Sequence, residues 1–351
     1  MIAINGRFLT RTVTGVERFA IEIVRALDAA GPSAKAFRLL APRGVARPDW
    51  LQNIGFATTG RLNGHAWEQI DLLAASRRGV LLNLCNSGPV LHPRSLVVLH
   101  DGWVFRHPDH FSRAYRLFHQ TLDRVLAKRA RIASVSRFSQ GELAAILSLD
   151  PARVEVIPNA ADHLDRIEAD PAITESLGLA GSRYLLMVGS FAPNKNIPLA
   201  IRAFLDSTRP DERLVIVGAK VGVFANDTPS DMPGRVILAG RVTDRELVAL
   251  YKGAHALVFP SIYEGFGIPP LEAMHLGIPV LASQIPVVRE VCGEAALYFD
   301  PHDQSAIARA MRQVFDDDLL HVRLTAAARL RATGYSWQVS ANRLTELART
   351  L

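Results

Sequence analysis

Short apolar runs alternate with amphipathic stretches along both halves of the chain. This alternation narrows the fold more than any other feature, because it marks parallel sheets flanked by helices. In the first half MIAING (1–6), LVVLHD (96–101), RIASVS (131–136) and VEVIPN (154–159) read as strands. Residues 16–29 read as a helix, entered through the T-x-x-E capping pattern of Thr14-Gly15-Val16-Glu17. Ser139-Gln140-Gly141-Glu142 is expected to open another helix in the same way. In the second half strands are expected at 183–190, 213–218, 235–239, 255–260, 278–283 and 296–299, with helices between them. Thr243-Asp244-Arg245-Glu246 caps the helix that runs to about Lys252.

At 351 residues the chain has the length of two domains. The reading is therefore α/β: two Rossmann-like, doubly wound domains, 1–165 and 166–335, facing a central cleft. The polar stretch 160–182 is taken as the linker region. A last amphipathic helix, 336–351, carries Trp337, Leu344, Leu347 and Leu351 on one face and is expected to pack back towards the first domain.

Composition narrows the class. With 49% hydrophobic and 21% charged residues the chain can bury a sizeable core, which excludes disorder and collagen-like repeats. Cys85 and Cys292 have no partner at metal or redox spacing and read as buried thiols of a reducing compartment. The start lacks the pattern of a signal peptide. The longest uncharged run, 273–288, is broken by Gly277, Pro279 and Pro286 and is too short to span a membrane.

The net charge of +6 is uneven. Residues 1–165 hold 21 Lys+Arg against 14 Asp+Glu, and residues 166–351 hold 19 against 20. The excess concentrates in 106–137, with Arg113, Arg116, Arg124 and Lys128 on a stretch that reads as helix. Such a stretch is either a solvated helix face or a patch that meets an anionic surface, such as acidic lipid or a phosphate-bearing substrate. Without a known binding motif it does not read as a nucleic-acid site.

Chemistry-bearing residues cluster after strands. Between Pro260 and Pro269 lies a turn with Gly265 and Gly267, and Pro269-Pro270 then open a helix. Backbone N–H groups around Gly267 and Ile268 at that helix start would suit an anion such as a diphosphate. Glu264 and Glu272 flank it; a carboxylate beside a phosphate finds its partners in neutral hydroxyls, which points to sugar or ribose. The ordinary alternative is a capping box at 261–264 and a first-turn acid at 272. In MVGSFAPNKN (187–196) a loop after a strand brings Ser190 and Lys195 to the sheet's carboxyl edge, where Lys195 can neutralise a phosphate. Gly15 allows close approach to the first helix. His100, beside Asp101 at a strand end, either touches a substrate hydroxyl or is a buried histidine held by a carbonyl. The sequon Asn226-Asp227-Thr228 reads as chance. No dinucleotide fingerprint, P-loop, nucleophile elbow or zinc motif is present.

Taken together, SIYEGFGIPPLEAMHLGIPVLAS resembles the E-x7-E segment of retaining GT-B glycosyltransferases of family 4. TGVERFAIEIVRAL, LVVLHD, ASVSRFSQGEL, VIPNAAD, MVGSFAPNKN, LAGRVTDRELVALY and YSWQVSANRL resemble its other segments, over essentially the whole length. The resemblance implies a hexosyltransferase without metal or cofactor, moving a hexose such as mannose from a GDP- or UDP-linked sugar. The acceptor would be a saccharide or lipid-diphosphate-linked saccharide of bacterial polysaccharide synthesis. It places Glu264 at the donor sugar, and Phe266, Gly267 and Ile268 at sugar and diphosphate. Glu272 goes to the ribose, Lys195 to the diphosphate, Gly15 to the donor and His100 to the transferring sugar, with Arg241 and Val242 lining the base site. It implies a cytoplasmic enzyme with peripheral contact at the inner membrane face and no nucleic-acid partner. Departures are Ser190 where many members carry Arg, Asn194 where a second base is common, and Ala160 after Asn159. A sugar-nucleotide epimerase or hydrolase on the same fold, or a non-catalytic envelope subunit, are the competing readings.

Overall fold

The computed structural model describes residues 1–218 and 234–351. The chain divides into two units, Met1–Asn159 with Ser336–Leu351, and Ala160–Tyr335. The sequon at 226–228 lies outside the described residues.

The first unit is built on seven strands: β1 (Ile2–Asn5), β2 (Phe37–Pro42), β3 (Gly55–Thr59), β4 (Val80–Asn83), β5 (Ser95–Leu99), β6 (Arg131–Ser134) and β7 (Glu155–Val156). They run parallel in the order β3-β2-β1-β4-β5-β6-β7. The second unit has β8 (Tyr184–Val188), β9 (Arg213–Val217), β10 (Val236–Gly240), β11 (Ala256–Phe259), β12 (Val280–Ser283) and β13 (Ala296–Phe299). These are also parallel, in the order β10-β9-β8-β11-β12-β13. Both sheets are doubly wound, and strand order reverses between β1 and β4 in one and between β8 and β11 in the other. Open α/β sheets bind ligands beyond the carboxyl ends of the strands at such a reversal.

Burial explains the strands. Leu185, Leu214, Ile216, Val258 and Leu281 interlock with Ile201, Phe204, Ile307 and Met311 of the covering helices. Each such side chain contributes about 1.5–3 kcal/mol when fully buried. All six strands expected in the second half are present. In the first half β2, β3 and β4 are additional to those read from the sequence.

Three expectations need correction. Residues 160–165 belong to the second unit, not the first: the 3-10 turn Asp162–Arg166 buries His163 and Leu164, and Asp165 pairs with His275 at 2.7 Å. The stretch 160–182 is accordingly structured, not a loose linker. The helix expected to open at Ser139 spans Arg137–Leu147, with Ser136 as its cap accepting from the Ser139 N–H at 3.0 Å. Ser136 precedes Ser139 by three residues, so the hydroxyl nearer the strand wins the cap. The helix Trp337–Arg349 lies in the first unit, where the Trp337 ring meets Phe19 of the helix Gly15–Asp28 at 5.9 Å. Ser340 Oγ there donates to Pro158 O at 2.7 Å.

Cys85 and Cys292 are both free thiols, and burial pushes the Cys292 thiol up to about 12. Among the described residues no helix is long and apolar enough to cross a membrane.

Candidate functional site

Two loops leave the second sheet on either side of its reversal. The one after β8 passes Gly189 and Ser190, makes the 3-10 turn Pro193–Lys195 and enters the helix Ile197–Ser207. The one after β11 runs from Pro260 to the helix Ile268–His275. The first of them is pressed against the end of β9: a Cβ on Gly218 would lie 1.9 Å from Gly189 O. Asn194 ties the two loops together. Its side-chain amide donates to Tyr263 O at 3.0 Å, and its backbone carbonyl accepts from the Ile262 N–H at 2.8 Å.

Across this junction the Lys195 Nζ donates to Glu264 Oε1 at 2.6 Å, both side chains being largely shielded. The ammonium also stands 5.6 Å from the centre of the Phe259 ring. A small recess lies beside the pair, lined by Met187, Gly189, Lys195, Phe259 and Ser261. Ser261 Oγ is buried with no hydrogen-bond partner among the described residues. No helix begins near Ser261, which rules out the capping-box alternative for Glu264.

The following helix starts at Gly267, whose φ of +105° lies in the left-handed region that favours glycine. No side chain caps this helix. The first-turn amide of Ile268 therefore has no intrahelical acceptor, and the helix dipole presents its positive end there. Phe266 is buried edge-on against Tyr335, with ring centres 5.8 Å apart.

Glu272 sits one turn further along the same helix, only 6% exposed. It is an anchored carboxylate, not an ordinary surface acid. Tyr251 Oη donates to its Oε2 at 2.9 Å, and His163 Nε2 lies 3.6 Å from Oε1. Burial, reinforced by the Glu272 charge, pushes the Tyr251 phenol well above its usual value, so it stays a donor.

Seven of the residues singled out from sequence thus share one neighbourhood: Ser190, Lys195, Glu264, Phe266, Gly267, Ile268 and Glu272. Arg241 and Val242 follow β10 at the sheet edge, with Arg241 exposed. Tyr251, His163 and Asn194 contact these residues, and sequence reasoning did not place them at the site. Tyr251 looked like one more residue of an amphipathic helix, and His163 fell in the supposed linker. Asn194 carried a signal, as the uncharged residue where a second base is common.

The remaining candidates lie in the first unit. Gly15 is exposed at the start of its helix. His100 is buried, its ring edge-on to Phe19 at 5.0 Å, and its Nε2 is 2.9 Å from Leu84 O. A carbonyl only accepts, so Nε2 carries the proton. Burial lowers this imidazole to about 4, which keeps it neutral. The local geometry is that of the carbonyl-held histidine. On the helix Arg113–Arg129, Arg113, Arg124 and Lys128 are exposed and Arg116 is half-buried. Leu117 beside them is 68% exposed. Among the described residues no group of three His, Cys, Asp or Glu is placed to hold a metal ion.

Two family models match this chain: Glycosyltransferase Family 4 over residues 13–163 and Glycosyl transferases group 1 over residues 170–331. O-antigen chain mannosyltransferase B of Escherichia coli is 27% identical, over 93% of this chain and 93% of that protein. O-antigen chain mannosyltransferase RfbU of Salmonella typhimurium is 31% identical, over 64% of this chain and 62% of that protein. Among solved structures, WaaG, a glycosyltransferase involved in lipopolysaccharide biosynthesis, superimposes with a TM-score of 0.74 at 16% identity, covering 99% of both chains. HepE of Anabaena in complex with UDP-glucose does so with a TM-score of 0.74 at 16% identity, covering 100% of this chain and 99% of that one. At that identity the structural likeness speaks for the fold, which is GT-B.

Proposed function

The chain belongs to the family 4 and group 1 glycosyltransferases, and from that premise we propose a retaining, metal-independent transfer of mannose. The donor is a nucleotide-diphosphate sugar. The acceptor is a saccharide or lipid-linked saccharide of bacterial polysaccharide synthesis. The observation that carries this reading is the Lys195–Glu264 pair beside the uncapped helix start at Gly267.

Diphosphate and sugar make opposite demands, and the two residues divide them. Lys195 and the Ile268 amide neutralise the charge that grows on the departing diphosphate. Glu264 accepts from hydroxyls of the donor sugar. Glu272, steadied by Tyr251, takes the ribose hydroxyls. The bond between the sugar C1 and the diphosphate oxygen breaks. The acceptor oxygen bonds to C1 on the same face, and its proton passes to the diphosphate oxygen. The diphosphate thus serves as base, so Glu264 positions the donor without attacking it.

Mannosyl transfer by the two curated relatives favours GDP-mannose, and the UDP-glucose complex of HepE makes UDP-sugars the comparison to include. The basic face of the helix Arg113–Arg129, with Leu117 exposed on it, supports an enzyme that works on the cytoplasmic side against anionic lipid.

Incubation with GDP-mannose, UDP-glucose and candidate acceptors, followed by NMR of the product, tests the reading. An α-linked product whose yield survives chelator supports it; a β-linked or chelator-abolished product defeats it. Donor rearranged or hydrolysed equally fast without acceptor would favour the epimerase or hydrolase instead. Sedimentation with vesicles that ignores their anionic lipid content defeats the membrane assignment.

A further inference from the structure

Apolar exposure in the second unit is confined to one helix. The helix Asp318–Ala332 buries Leu320, Leu324, Ala328 and Ala332 and packs on the helix Ile268–His275 and on β13. Its opposite face leaves Leu319 84%, Val322 65% and Leu330 76% exposed, with Ala326 exposed among them. Among the described residues these three are all the large apolar side chains that the unit Ala160–Tyr335 leaves exposed. The preceding helix, Gln304–Asp316, shows the usual pattern: it buries Ile307, Met311, Val314 and Phe315 and exposes no large apolar side chain. On Asp318–Ala332 the residues 319, 322, 326 and 330 recur at helical spacing and form one stripe over about three turns. Scattered exposed leucines are ordinary, whereas a contiguous stripe marks an interaction surface.

The charges beside the stripe say what covers it. Asp318 and Arg329 are as far apart in sequence as Leu319 and Leu330. That separation is three full turns to within about 20°, so each pair lies along one line of the helix. Asp318 and Arg329 edge the stripe on the same flank, and both are exposed. The Arg329 guanidinium lies against Gly277, which has no side chain to displace it.

Turned end for end about a two-fold axis, this face is its own complement. Leu319 of each copy meets Leu330 of the other, and Asp318 of each comes beside Arg329 of the other. The small Ala326 falls close to the axis, where the two helices approach. An anionic lipid surface fits less well, because Asp318 stands at the stripe's edge with Asp317 and the exposed Asp316 next to it. A second copy satisfies both signs of charge. A single helix pair covers less than the roughly 1,200–2,000 Å² of a standard stable interface, so the association is weak and depends on concentration.

We propose that the helix Asp318–Ala332 docks a second copy of this chain, antiparallel, in a two-fold dimer. None of the docking residues belongs to the Lys195–Glu264 site, and the inference needs neither donor nor acceptor.

Sedimentation equilibrium of the full chain across the micromolar range tests it, and a monomer–dimer equilibrium is expected. Leu319→Glu and Leu330→Glu, both changes of exposed residues, should each weaken the dimer about tenfold or more. Asp318→Arg brings like charges together and should weaken it too, and adding Arg329→Asp to the same chain should restore it. Chains carrying Leu319→Cys, mixed with chains carrying Leu330→Cys under mild oxidation, should give a cross-linked dimer that neither gives alone. A chain that stays monomeric throughout overturns the proposal, as does a dimer indifferent to both glutamate variants. A dimer that the double charge swap does not restore, or that cross-links as readily within one cysteine variant as between the two, defeats the antiparallel pairing and the proposal with it. A monomeric chain whose binding to anionic vesicles is lost in Leu319→Glu would assign the face to lipid instead.

Discussion

Lys195 donates to Glu264 across 2.6 Å, from the loop after β8 to the loop after β11. The pair spans the point at which the order of the second sheet reverses. In our reading a diphosphate draws Lys195 off Glu264, and the freed carboxylate turns to sugar hydroxyls.

The two residues should therefore separate in a paired experiment. Lys195→Ala is expected to weaken nucleoside diphosphate binding and lower turnover by about 10²–10³, the loss typical of one electrostatic donor at a reacting oxygen. Glu264→Gln frees the ammonium, so nucleoside diphosphate alone should bind at least as tightly while turnover collapses. Calorimetry and steady-state kinetics on the two folded variants decide the matter. Wild-type turnover in either would remove that residue from the site.

Tyr251 is expected to act through Glu272. Tyr251→Phe leaves Glu272 Oε2 buried without its 2.9 Å donor, a loss of about 1–3 kcal/mol. Nucleotide affinity should fall with it, and Glu272→Gln should not mimic the effect fully because its amide oxygen still accepts from Tyr251. Urea denaturation alongside nucleotide titration checks both; a Tyr251→Phe protein of unchanged stability and affinity refutes the positioning role.

Gly267→Ala should cost about 1–3 kcal/mol, because φ is +105° and a β-carbon there is strained. No atom stands closer than 3.8 Å to such a carbon, so the cost comes from the backbone and not from a clash. The donor KM should rise while the acceptor KM stays, since the distortion falls on the helix start to which our reading assigns the diphosphate. A rise confined to the acceptor KM would contradict this.

Asp123 gives the protein a pH signature. It lies buried on the helix Arg113–Arg129, with Oδ1 lacking a partner among the described residues. Burial, then the charge of Asp101, raises its carboxyl to about 7, against the pull of Arg124. Between 3.8 and about 7 the folded state holds a proton that the unfolded state has released, so this group's contribution declines as pH rises through that window. Asp123→Asn lacks the effect. It should be more stable than the parent by about 2–4 kcal/mol at pH 8 and equal to it near pH 4. His100, lowered to about 4, works in the opposite sense, losing stability as pH falls below 6.5, but it is common to both proteins and cancels. Denaturation across this range is the measurement, and a difference independent of pH defeats the assignment.

The second sheet was legible because each of its strands is a compact apolar run bounded by polar residues. The first was only partly so. β3, GFATT, is an edge strand with little to bury, and β4, VLLN, is four residues inside a longer irregular stretch. β2 is interrupted by Arg38, which points outward while its neighbours are buried. At the site, Glu264, Glu272 and Lys195 were readable because their spacing and flanking glycines and prolines are local. The Tyr251 bond to Glu272 spans 21 positions and the Asn194 bond to Tyr263 spans 69. Neither leaves a periodic trace, because only the packed sheet brings them together.

The chain leaves its first unit at Asn159, completes the whole of the second, and returns at Ser336. This imposes an order on synthesis. The second unit's strands and helices all emerge before the helix Trp337–Arg349, which must close over Phe19 and the helix Gly15–Asp28. A ribosome has thus finished the second unit while the first still exposes apolar surface meant for the helix Trp337–Arg349. Until that helix is made, the earliest-made half of the chain is the later to mature, and it is the half that would need a chaperone's protection.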